Sequence, residues 1–141
     1  MENVDQARHE HTGAPLSPEE QARADWYALF ATLFQTPPSA ALLRQIASVS
    51  ADPATGLGRA FAQFAEHCAR ADEDQVRQEF DIIFIGVGRP EVFLQASYYL
   101  TGFLHERPLA ALRERLAELG LTRGENLSLT EDHCGVLCET M

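Results

Sequence analysis

Apolar side chains recur along most of the chain at steps of three and four residues, the repeat that lays them along one face of an α-helix. Ala22, Trp26, Leu29, Phe30 and Leu33 form the first such stripe. It follows Ser17-Pro18-Glu19-Glu20, where Ser and Glu stand at capping-box spacing and Pro occupies the first helical position, and Pro37-Pro38 ends it. Ser39 caps a short second helix carrying Leu42, Leu43 and Ile46. Beyond a loop with Pro53, Gly56 and Gly58, the residues Leu57, Phe61, Phe64 and Cys68 predict a third helix. Asp72, three residues before Gln75, opens a fourth through Val76, Phe80 and Ile83. Residues 93–104 repeat Phe93, Ala96, Tyr99, Leu100 and Phe103, which predicts a central, tightly packed helix. Leu109, Leu112, Leu116 and Leu119 stripe the next, which starts after Pro108 and closes at Gly120, a residue suited to a left-handed cap. Thr130 then caps a last helix with Glu131 and Asp132 in its first turn.

The run FDIIFIGVG at 80–88 also reads as a buried strand entering a glycine turn. A lone strand is marginal, and no convincing partner strand is visible, so the run is read as a helix end buried on several sides. The pattern as a whole predicts an all-α helical bundle of about seven helices. It contains no internal repeat and no sustained heptad, which argues against a solenoid or a coiled coil.

Composition narrows the function more than the fold. A length of 141 residues suits one domain, expected here over 17–141 behind a disordered tail at 1–16. Acidic residues outnumber basic ones 21 to 11, every basic residue is Arg, and the formal net charge is −10. Phosphate-backbone binding rests on clustered Lys and Arg, so nucleic acid is a poor partner for this chain. An acidic surface instead favours a basic partner, chiefly by steering the encounter. No stretch is long and apolar enough for a bilayer span, and the N-terminus lacks a signal-peptide core, so stable membrane insertion is not expected and a cytoplasmic protein is. Three scattered cysteines, Cys68, Cys134 and Cys138, read as reduced thiols.

Candidate chemistry is sparse. His133, Cys134 and Cys138 are the only cluster of metal-ligand types; structural zinc takes four protein ligands and no second half-site exists, so the cysteines read as small core residues and no metal is expected. Gly86-Val87-Gly88 lacks the third glycine and the βαβ setting of a dinucleotide fingerprint. Ser97 lies within a predicted helix and lacks the strand-to-helix elbow of a nucleophilic serine. No cofactor and no enzymatic activity are expected, and the alternatives to a peptide-binding protein are a small metal- or nucleotide-binding protein or a structural oligomerisation module. What remains is a distribution of Phe84, Phe93, Ser97, Tyr98, Tyr99 and Phe103 with Asp132, His133 and Arg89, the kind of aromatic and polar mixture that peptide grooves use. Phe84, Tyr99 and Phe103 read as core, while Tyr98, adjacent to Tyr99, points elsewhere on the helix.

The segment EFDIIFIGVGRPEVFLQASYYLTGFLHERPLAALRERLAELGL, followed by TEDHCGVLCETM, resembles the TorD/DmsD/NarJ family of redox enzyme maturation chaperones, with coverage from about Ala24 to Met141. The family's S-x-Y motif falls on Ser97 and Tyr99, with Leu94 and Gln95 where a Pro and an aromatic often stand. Its E-P-x-D-H hinge motif falls on residues 129–133, matching at Asp132 and His133 and departing at Leu129 and Thr130. The resemblance implies an all-helical chaperone that binds the twin-arginine signal peptide or apoprotein of a molybdenum-cofactor oxidoreductase, with formate dehydrogenase the favoured client. Phe93, Leu94, Ser97, Tyr98, Tyr99, Asp132 and His133 are the expected peptide-binding residues, with carboxylates such as Asp132 facing the leader's arginines. The resemblance also implies further helices after the hinge motif, and the interrupted stripe of Val136, Leu137 and Met141 reads as a shortened chain. A homodimer or domain swap is expected to cover that stripe.

Overall fold

The computed structural model describes residues 15–124 and 128–141, and over those residues it is all-helical, with seven α-helices, one π-helical turn and no strand. The tail expected at 1–16 falls outside the described residues except for Pro15 and Leu16. The helices are α1 (Pro18–Gln35), α2 (Ala40–Ala47), α3 (Gly56–Arg70), α4 (Glu73–Phe80), α5 (Ala96–Thr101), α6 (Arg107–Glu118) and α7 (Cys134–Glu139). Capping sets the early boundaries as the sequence predicts. Ser17 and Glu20 form a reciprocal capping box on α1, Ser39 accepts from the Leu42 N–H, and Asp72 accepts from the N–H groups of Asp74 and Gln75.

The central helix is α1. One side carries Leu29 and Leu33 onto a small core of Leu43, Ile46 and Cys68, shared by α2 and α3 and flanked by Phe61 and Val76. A line of ring contacts runs from Phe61 to Trp26, Phe30 and Phe34, then edge-on to Phe84 at 6.0 Å, which meets Phe80 at 5.0 Å. Offset and edge-on pairs of this kind add to plain apolar burial. The remaining side of α1 receives α7 across Ala31, its most buried residue, which lies outside the predicted stripe. The approach is close because Gly135 has no Cβ: one there would stand 2.7 Å from Gln35 Cγ and 3.1 Å from the Ala31 carbonyl.

Three expectations are corrected. The run at 80–88 is not buried on several sides: after α4 the chain widens into a π-helical turn (Asp81–Ile85), closed by the Gly86 N–H on the Asp81 carbonyl, and Ile82, Ile85 and Val87 face solvent. The helix predicted over 93–104 shrinks to Ala96–Thr101 and is not central. Its expected first turn is drawn out because the Leu94 carbonyl accepts from the Cys134 N–H at 2.7 Å and the Ala96 N–H donates to the Asp132 carbonyl at 2.9 Å, and Gly102 stops it in a left-handed conformation. Tyr99 and Phe103, expected in the core, are 65% and 69% exposed. Finally, α7 starts at Cys134 rather than after Thr130. Residues 130–133 form a turn closed by the His133 N–H on the Thr130 carbonyl at 3.0 Å, and Gln95 pairs with His133 in an isolated antiparallel bridge, so the cap falls to His133.

Candidate functional site

The two motifs that are 35 residues apart in sequence meet at one carboxylate. Asp132, 2% exposed, accepts from the Ser97 backbone N–H at Oδ2 (3.0 Å) and from the Thr130 hydroxyl at Oδ1 (2.6 Å). Thr130 stands where the hinge motif carries proline, and here its hydroxyl takes up a buried lone pair that proline could not reach. Burial alone would raise the Asp132 carboxyl, but the hydrogen bonds from Ser97 and Thr130 outweigh it and hold the group below the usual aspartate value. The Ser97 hydroxyl is buried beside this carboxylate without a well-formed hydrogen bond. Asp132, expected to face a leader's arginines, directs both oxygens to partners within the fold and is almost closed off from solvent.

His133 is equally buried. Its Nδ1 accepts the Gly135 N–H at 3.2 Å, so the ring caps α7 as a neutral imidazole with an unprotonated Nδ1. Burial lowers its pKa from the ordinary 6.5, and the attraction of the Asp132 carboxylate opposes this without reversing it. Glu131 completes the latch by receiving a two-point contact from Arg113 of α6, both N–H···O distances 2.9 Å. The Arg113 hydrogen bonds hold its carboxyl below the usual range. The sequence reading missed Thr130, Glu131 and Arg113 as members of this cluster. Nothing in a helical repeat pairs an α6 arginine with a residue in the loop before α7.

Beside the latch lies a cleft of about 610 Å³ between α1, the extended 92–95 segment and α7. Phe34, Phe84, Phe93, Leu94, Leu137 and Tyr99 give it an apolar lining. Of the expected binding residues, Phe93, Leu94, Tyr99 and Asp132 line this cleft, whereas Ser97 and His133 lie outside the lining and hold its walls through backbone contacts. Tyr98 lies outside the lining and supports it instead, stacking on Phe93 at 4.0 Å between centroids while its hydroxyl accepts from Arg89. The Arg89 guanidinium also lies 5.6 Å above the Phe93 ring. Cys134 and Cys138, expected as small core residues, are half-buried on the cleft wall. Among the described residues no group of three or more His, Cys, Asp or Glu side chains gathers as a metal site. No helix of the described residues is long and apolar enough to cross a membrane.

The arrangement holds surfaces in place: its buried acids and its histidine are spent on backbone N–H groups, a hydroxyl and a guanidinium, next to an open apolar cleft. Neither the curated proteins nor the solved structures yield a match to this chain. The family model described as nitrate reductase delta subunit matches residues 50–141, which takes in the whole latch and every cleft residue outside α1. The chain belongs to the nitrate reductase delta subunit family, the NarJ/TorD-like redox enzyme maturation chaperones.

Proposed function

We propose that this chain is a cytoplasmic chaperone that binds the twin-arginine signal peptide, or the apoprotein, of a molybdenum-cofactor oxidoreductase before export, with formate dehydrogenase the favoured client. The observation that carries the reading is the apolar cleft between α1, 92–95 and α7. Its volume of about 610 Å³ suits a few large apolar side chains. An apolar leader segment laid against Phe93, Leu94 and Leu137 loses its contact with water there, and so is kept from aggregation and premature recognition. The net charge of −10 favours a leader whose basic residues flank that segment. In this reading Asp132 and His133 act by positioning: they fix α7 and the 94–96 segment, and with them the two walls of the cleft.

The test is a titration of a fluorescent twin-arginine leader peptide with the wild-type chain and with Leu94→Asp. A carboxylate in the apolar cleft should weaken binding by at least about tenfold, or roughly 1.4 kcal/mol, while the helical circular dichroism signal persists. Equal affinity of a folded Leu94→Asp variant and the wild type removes the cleft as the binding site.

A further inference from the structure

Three sulfur-bearing side chains line the same cleft. Cys134, Cys138 and Met141 follow one another by four and three residues, a spacing that sets side chains on one helical face, and all three border the cavity. Met141 continues the turn of α7, its N–H reaching the Cys138 carbonyl at 3.4 Å. Both cysteines are free thiols. They stand one helical turn apart on α7, on the same wall of the cleft. The third cysteine, Cys68, is remote from them in the α2–α3 core.

A zinc site is excluded by the same count that excluded it in the sequence, since a structural zinc takes four protein ligands and only two thiols are at hand. A soft monovalent ion has other needs. Thiolates and thioethers are its preferred donors, and the Asp132 carboxylate on the cleft lining already has both oxygens hydrogen-bonded, to the Ser97 N–H and the Thr130 hydroxyl. We propose that Cys134, Cys138 and Met141 form a binding site for a soft monovalent metal ion of the Cu(I) class, on the α7 wall of the cleft. Binding replaces one proton on each thiol, both released to solvent, and the thioether of Met141 donates without a charge change. The oxidation state of the ion does not change. The site stands independently of the peptide reading, because it rests on the sulfur donors of α7 and of Met141 just beyond it.

The experiment is an anaerobic titration of the full chain with Cu(I) in competition with bathocuproine disulfonate, followed by X-ray absorption on the loaded protein. The expected result is one ion per chain in an all-sulfur shell. Cys134→Ser and Cys138→Ser should each weaken binding by about a hundredfold or more, and Met141→Leu by about tenfold. Cys68→Ala should leave the affinity unchanged. Met141 is 74% exposed, so Met141→Leu tests the site even where a cysteine variant fails to fold. A nitrogen or oxygen donor in the shell overturns the proposal. So does unchanged affinity in Met141→Leu or in folded Cys134→Ser and Cys138→Ser variants.

Discussion

At the scale of single residues, the latch separates groups that hold the fold from groups that merely fit into it. The Asp132 carboxylate takes two hydrogen bonds in a closed setting, whereas the Ser97 hydroxyl beside it makes none that is well formed. Asp132→Asn replaces one acceptor oxygen with a donor facing either an N–H or a hydroxyl, and should cost about 1–3 kcal/mol in urea unfolding. Ser97→Ala should change stability by less than about 0.5 kcal/mol, because it removes a buried polar atom without a good partner. Equal losses in the two variants would mean that the serine hydroxyl is a working donor. His133 makes a second prediction. Its folded-state pKa lies below the ordinary 6.5, so the folded chain binds this proton less readily than the unfolded chain. Its contribution to stability is complete above pH 6.5 and is lost as the pH falls from there through the folded-state value. Asp132 and Glu131, also lowered, act in the same direction at lower pH, their contributions lost as the pH falls from 3.8 and 4.5 respectively through the folded-state values. The melting temperature should therefore drop between pH 7 and 5.5 in the wild type. His133→Asn, which keeps a capping acceptor without a titrating ring, should flatten that part of the curve. An identical drop in the variant would place the acid sensitivity elsewhere.

At the scale of elements, the helix stripes were legible in the sequence wherever a helix buries one face and is capped by its own neighbours. Ser17, Ser39 and Asp72 open α1, α2 and α4 as their local pattern predicts. The prediction failed wherever a distant segment outbids the local repeat. Residues 93–96 have a helical repeat, yet the Leu94 carbonyl and the Ala96 N–H are claimed by Cys134 and Asp132, so α5 begins late and α7 is capped by His133 instead of Thr130. The candidate site was legible in part for the same reason. Phe93, Leu94 and Tyr99 border the cleft as an aromatic pattern suggests, but the contact of Arg113 with Glu131 leaves no periodic trace, and burial of Asp132 cannot be read from its residue type. The crossing of α1 and α7 supplies the prediction that belongs to this scale. A methyl group at 135 would press on Gln35 and the Ala31 carbonyl, so Gly135→Ala should lower stability by about 1–3 kcal/mol. A thermal melt unchanged from the wild type would mean that the two helices separate freely.

At the scale of the molecule, α1 divides the labour. One side fastens α2 and α3 through Leu29 and Leu33, a second carries the ring contacts to Phe84, and a third seats α7, so that the cleft between α1, 92–95 and α7 is framed by the core rather than by loops alone. The latch at Asp132 and His133 borders that cleft and ties two of its walls, the 94–96 segment and α7, to each other. A chaperone needs such an arrangement: an apolar surface left open, on supports stiff enough to keep it from collapsing on itself. The measurement that bears most directly on this account is amide hydrogen exchange with and without a twin-arginine leader peptide. The account predicts that the peptide slows exchange in α7, in 92–96 and in the part of α1 from Tyr27 to Phe34, while the far ends of α2 and α3 exchange as before. Protection confined to α2 and α3, with none at the cleft, would contradict it.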